Sequence, residues 1–200
     1  MSQPFDYPAT PHSRRHGPAG YSDHASFRPW LRDEFAFRCV YCLTREAWGS
    51  VTGLFDIDHH EAVAARPEAR LAYGNLLLAC AGCNAKKSDQ RVPDPLAVLT
   101  AGTATVLATG EIVGSTPESQ RLIRDLDLNR KQLKDFRRLV IDVARLSRHH
   151  DPDLYRRLMG FPDDLPDLSA LCPPGGNTRP EGIAESHSAR RQRGELPDTY

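Results

Sequence analysis

The sequence lacks three things that would classify it quickly. It has no apolar run approaching the roughly 20 residues of a membrane span, and its first twenty residues, MSQPFDYPATPHSRRHGPAG, contain no hydrophobic core of a signal peptide. It also lacks net charge, with 26 Lys+Arg against 26 Asp+Glu, so no global field advertises a polyanionic partner. Cysteine is sparse, five in 200 residues. In the reducing cytoplasm expected of such a chain, thiols serve better as metal ligands than as disulfides. No membrane association is expected.

What is present divides the chain into four stretches. Residues 1–25 are rich in Pro, Gly, His and Ser and read as a flexible arm carrying Arg14 and Arg15. Residues 26–100 hold the cysteines. There, Phe27, Trp30, Leu31 and Phe35 have helical spacing, LFDID and NLLLAC read as strands, and NAKKSD reads as a helix turn. In residues 101–150, ATVLATGEIVG suggests a hairpin around Thr109-Gly110, and Thr116-Pro117 starts helical stripes running to about residue 147. Residues 120–150 carry nine basic side chains, Arg130, Lys131 and Lys134 among them, against four acidic ones. Residues 151–200 are Pro-rich, carry basic spots and read as extended. The fold class is α+β.

Cys39-Val-Tyr-Cys42 and Cys80-Ala-Gly-Cys83 are two knuckles of the kind that closes a tetrahedral zinc site. Four thiolates leave no open position, so this zinc is expected to be structural. Cys172 is left over as a free thiol.

Between and just after the cysteine pairs come Asp58, His59, His60, Asn75 and Asn84. The string DIDHH … GNLLLACAGCNAKKSD resembles the HNH endonucleases in their zinc-knuckle form, over residues 39–89. The resemblance implies a ββα-metal core, with two antiparallel strands and a helix around one catalytic Mg2+ or Mn2+, and a helical C-terminal extension. It implies DNA as partner and hydrolysis leaving 5′-phosphate and 3′-hydroxyl ends. Carried over residue by residue, His59 is the general base, and Asp58 and Asn84 are ligands of the catalytic metal. Asn75 fixes the loop and orients His59, and Lys87 contacts the scissile phosphate with Lys86 as helper.

The residue types suit that chemistry. An imidazole is a base poised near neutral pH, and a hard divalent cation accepts one carboxylate and one amide oxygen while keeping its waters. Two registers stay open. His59 is the base if Asp58 binds metal; His60 is the base if His59 binds metal, as in colicin-type nucleases, although the matching histidine after the second cysteine pair is Asn84 here. Further DNA contacts are expected from Arg14, Arg15, Arg130, Lys131 and Lys134. A protein partner or a homodimer would be needed for two-strand cutting. The rival is a non-catalytic zinc-ribbon module for nucleic acid or protein. The family's spread includes phage defence, and the residues do not choose a setting.

Overall fold

The computed structural model describes residues 3–48 and 54–200, so parts of the first two stretches, residues 1–2 and 49–53, lie outside the described residues. The chain is mixed α and β. A short helix α1 (Arg28–Glu34) is followed by strand β1 (Phe55–His59), strand β2 (Leu76–Cys80) and helix α2 (Ala81–Lys87). β1 and β2 are antiparallel, with Phe55 opposite Cys80, Asp58 opposite Leu77 and His59 opposite Leu76. The continuous apolar run Leu76–Cys80 is buried throughout. β1 alternates instead: Phe55 and Ile57 turn inward, and Asp56 remains half-buried.

After a one-turn helix α3 (Pro95–Val98) comes the expected hairpin, β3 (Ala104–Val106) and β4 (Ile112–Gly114). Gly110 in its turn has φ +81, and a Cβ there would lie 2.2 Å from Lys134 O, so both conformation and close approach require glycine. Helix α4 (Pro117–Asp125) starts at Thr116. The Thr116 hydroxyl accepts from Ser119 N, and Ser119 Oγ accepts from Thr116 N, a reciprocal cap.

The helical stripe does not run unbroken to residue 147. Asp127 takes a positive φ of 48, and Asn129 leaves the helix to pair its side chain with both N and O of Ile112 at 2.8 Å. α5 (Lys131–His150) begins after that break. The polar bonds to the hairpin and the burial of Leu126 and Leu128 outweigh helix continuity. Arg137, one of the nine basic side chains of residues 120–150, is buried. Its Nε donates to Gly110 O at 2.5 Å and its Nη2 to Leu128 O at 2.8 Å. α6 (Pro152–Met159), α7 (Glu181–Ala184) and α8 (His187–Gln192) complete the chain. Among the described residues no helix is long and apolar enough to cross a membrane.

The two ends differ most from the sequence reading. Phe5 packs edge-on against Trp48 at 5.3 Å, and Tyr7 donates to Tyr41 O at 2.8 Å. Arg14 and Arg15 are not held out toward a ligand. Arg14 donates to Leu76 O at 2.6 Å and lies over the Phe35 and Tyr73 rings, while Arg15 is paired with Asp33 at 3.2 Å.

The physical reason lies in α1, which carries two adjacent carboxylates into the interior. Asp33 accepts from His16 Nε2 and from His187 Nδ1, each at 2.8 Å. Glu34 accepts from His12 Nε2 at 2.7 Å, Tyr73 Oη at 3.0 Å and the backbone of Arg15 and His16. Buried carboxylates must be compensated, and the two chain ends supply the partners. Burial alone would raise both groups. The hydrogen bonds and positive neighbours overcome it, holding Asp33 well below its ordinary value and Glu34 at about 2. The tail is equally tied down. Tyr200 stacks on Phe161 at 4.0 Å, and Arg45, fully buried, donates to Met159 O at 2.8 Å and to Tyr200 O.

Candidate metal centre and adjoining cleft

The four knuckle cysteines are buried, and their sulfurs lie within 4.8 Å of one another. Cys42 Sγ and Cys80 Sγ are 3.7 Å apart. A tetrahedron of thiolates with Zn–S bonds of ~2.3 Å has its sulfurs ~3.8 Å apart, whereas a disulfide would need ~2.05 Å. The cluster therefore fits zinc, and it could hold a structural ion with no position left for substrate. Each pair is shaped locally. In the first, Cys39 N donates to Thr44 O at 2.8 Å and Leu43 N to Cys39 O at 3.0 Å, closing a tight turn with Leu43 at φ +60. In the second, Cys80 ends β2 and Cys83 lies one turn into α2. Burial pushes the Cys39 thiol up, while hydrogen bonds from Cys39, Cys80 and Cys83 push Cys42 down. Cys172 is exposed and unpaired.

Beside this cluster, the end of β1 and the outer face of α2 enclose a cleft of about 540 Å3 lined by Asp56, Asp58, His59, Asn84, Ser88 and Asp89 over a floor of small residues. The structure thus brings together three of the five residues singled out from the sequence: Asp58, His59 and Asn84. Asn84 lines this cleft, and its side chain has no hydrogen-bond partner among the described residues.

Asp58 is only 4 % exposed and already engaged. Tyr41 Oη donates to its Oδ2 at 2.5 Å, and Lys87 Nζ to its Oδ1 at 3.1 Å. Burial raises the Asp58 carboxyl above its ordinary value, and the bonds from Tyr41 and Lys87 offset only part of that. Each oxygen retains lone-pair capacity beyond these bonds.

His59 Nε2 lies 3.0 Å from Arg70 O, so it carries the proton and donates. Its Nδ1 is then the basic nitrogen, and it has no hydrogen-bond partner among the described residues. His60 is absent from this cleft. It lines a different one, with Arg91 and Arg121.

Asn75 does not bond to His59. Its side chain accepts from Glu61 N at 2.8 Å and donates to Glu61 O at 3.0 Å and Ala69 O at 3.3 Å. It pins the loop that carries Arg70, and so reaches His59 indirectly.

Lys87 corrects the expectation of a phosphate contact. Its side chain is 1 % exposed, and its ammonium also donates to His59 O at 2.5 Å. Lys87 lies four residues after Cys83, on the helix face turned to the core, rather than on the face of Asn84. Lys86 is exposed and paired with Asp127 at 3.1 Å. On the far helix, Lys131 is paired with Asp135 at 2.5 Å, Arg130 donates to Asp127 O at 3.2 Å, and Lys134 has no acidic partner among the described residues.

Three residues join the site without any sequence signal pointing to them. His24 meets the His59 ring edge-to-face at 5.7 Å, and its Nδ1 is buried without a partner. Tyr41, inside the first cysteine pair, donates its hydroxyl to Asp58. Ser88 closes α2 at φ +46, a strained position for a side chain. Compared with known proteins, the chain matches no protein-family model and no curated protein.

Proposed function

We propose that the chain is a metal-dependent endonuclease of the HNH type, hydrolysing phosphodiester bonds of DNA on a ββα-metal core stapled by zinc. The observation that carries this reading is the state of His59. It shares one cleft with Asp58 and Asn84, its Nε2–H is committed to Arg70 O, and its Nδ1 is open. That tautomer is the one a general base needs. The antiparallel β1–β2 pair followed by α2 supports the same reading, as does the turning away of His60, which favours His59 as base over His60.

The cleft contains three carboxylates, of Asp56, Asp58 and Asp89, and Lys87 is bonded to Asp58 alone. A phosphodiester entering it would be repelled without added positive charge. The donors are hard oxygens, those of Asp58 and Asn84 with Asp56 beside them, which suits Mg2+ or Mn2+ better than a soft metal. Such an ion, when bound, supplies charge stabilisation on the phosphate and the leaving oxygen. His59 Nδ1 removes a proton from the attacking water. The water oxygen bonds to phosphorus, the P–O3′ bond breaks, the departing O3′ takes a proton from solvent water, and the products end in a 5′-phosphate and a 3′-hydroxyl. Asn75 keeps the Arg70 carbonyl in place, and Lys87 with Tyr41 fixes the Asp58 carboxylate.

One observation favours the rival reading of a non-catalytic zinc module: both Asp58 oxygens are already bonded within the protein. Asp58→Asn separates the two readings. In a nuclease it abolishes Mg2+-dependent cleavage while zinc content stays at one per chain. In a binding module it leaves DNA or protein binding unchanged.

A further inference from the structure

We infer that His60, Arg91 and Arg121 form a second, non-catalytic phosphate site that holds the DNA backbone beside the bond cut at His59. This rests on the nuclease reading and adds to it the means by which the strand is held. The site is a cleft of about 310 Å3 walled by His60, Glu61, Arg91, Val92, Pro93 and Arg121.

Its cations are only partly compensated: Arg121 alone has a carboxylate partner, Asp125. The Arg91 guanidinium has no partner among the described residues. Arg121 gives Nε to Asp125 at 3.1 Å and Nη2 to Arg91 O at 3.2 Å, which leaves Nη1 available and ties the two arginines together. His60 Nδ1 is buried without a partner. The one acid in the wall, Glu61, is turned to Arg66.

The composition selects the ligand. Two guanidiniums reject a metal ion, and the wall has no aromatic ring other than the imidazole on which a base could stack. What remains is an anion, and the planar fork of arginine suits phosphate. Position selects the source. His59 and His60 are consecutive in the chain and line the two clefts, His59 the one with Asp58 and Asn84, His60 the one with Arg91 and Arg121. A DNA strand with one phosphate at His59 therefore runs close to the second cleft, where another phosphate of the same strand meets the arginines.

The test is the salt dependence of DNA binding by the zinc-loaded full chain without added Mg2+ or Mn2+, read by fluorescence anisotropy of a labelled duplex. Each phosphate contact contributes a slope of about 0.9 in log K against log salt. Arg91→Ala combined with Arg121→Ala is expected to lower the slope by about one unit or more, while Arg156→Ala, an exposed arginine on α6, leaves it unchanged. Because Arg121 also anchors backbone, Arg91→Ala alone is the second variant; its side chain supports nothing else, and it should lower the slope with zinc content and circular dichroism intact. A single neutral methylphosphonate next to the cut bond should weaken wild type and leave the double variant unaffected.

An unchanged slope in the double variant overturns the site. If millimolar inorganic phosphate occupies the cleft while the DNA slope stays the same, the DNA assignment is overturned. A lowered slope in a protein that fails to cut with either Mg2+ or Mn2+ supports the site and contradicts the nuclease reading, so the two failures are distinguishable.

Discussion

Glu34→Gln tests the claim that buried charge, and not loop packing alone, fastens the N-terminal segment to the core. Glu34 is held at about 2 against an ordinary 4.5, through bonds from His12, Tyr73 and the backbone of Arg15 and His16. A depression of that size, at 1.36 kcal/mol per unit, is worth about 3 kcal/mol. The folded pKa lies below the unfolded one, so this stability is fully present above pH ~4.5 and is lost as pH falls toward 2. Asp33, also depressed, acts in the same direction. The glutamine keeps the shape and removes the charge. The assay is urea unfolding of zinc-loaded wild type and variant at pH 7 and at successively lower pH for as long as both keep their zinc. The difference should be about 3 kcal/mol at pH 7 and shrink as the pH falls below ~4.5. A total stability of ~5–15 kcal/mol makes such a loss easy to see. A difference below about 1 kcal/mol at pH 7, or one that does not change with pH, would refute the reasoning.

Other perturbations probe other parts. Cys80→Ser should remove the bound zinc and unfold the β1–β2–α2 unit, since structural zinc is worth ~10–16 kcal/mol in small zinc peptides; metal analysis and circular dichroism check it, and a folded, zinc-free variant would contradict it. His24→Ala removes the ring packed against His59, so kcat for DNA cleavage should fall about tenfold with KM unchanged, and a change in KM alone would reassign His24 to binding. Tyr200→Ala removes the stack on Phe161 and the ring under the Arg38 and Arg45 guanidiniums. It should cost about 2–4 kcal/mol in thermal or urea unfolding.

The α+β class, the strand pair, the hairpin and the cysteine cluster were legible in the sequence because each rests on local pattern. Alternation at Phe55 and Ile57, the run Leu76–Leu78, the Thr116 cap and the two-residue cysteine gaps all have one economical reading. The ends were not legible. Phe5 and Tyr7 are buried and Tyr200 half-buried, each singly, with no periodicity to mark them. Asp33 and Glu34 look like the solvent face of α1, and only the fold shows that histidines from positions 12, 16 and 187 meet them. Lys87 was misplaced by counting three residues from Asn84 when four from Cys83 gives its actual face. His24 reaches the cleft through tertiary contact across 35 residues, which no spacing rule encodes.

The central claim is that His59 acts as a base in a metal-dependent nuclease. Its most direct test is a supercoiled-plasmid assay with Mg2+ or Mn2+, comparing wild type, His59→Ala and His60→Ala at saturating DNA. The account predicts cleavage by wild type and by His60→Ala, and none by His59→Ala. Folded, zinc-loaded wild type that cuts with neither metal would contradict it, as would cleavage lost in His60→Ala and kept in His59→Ala.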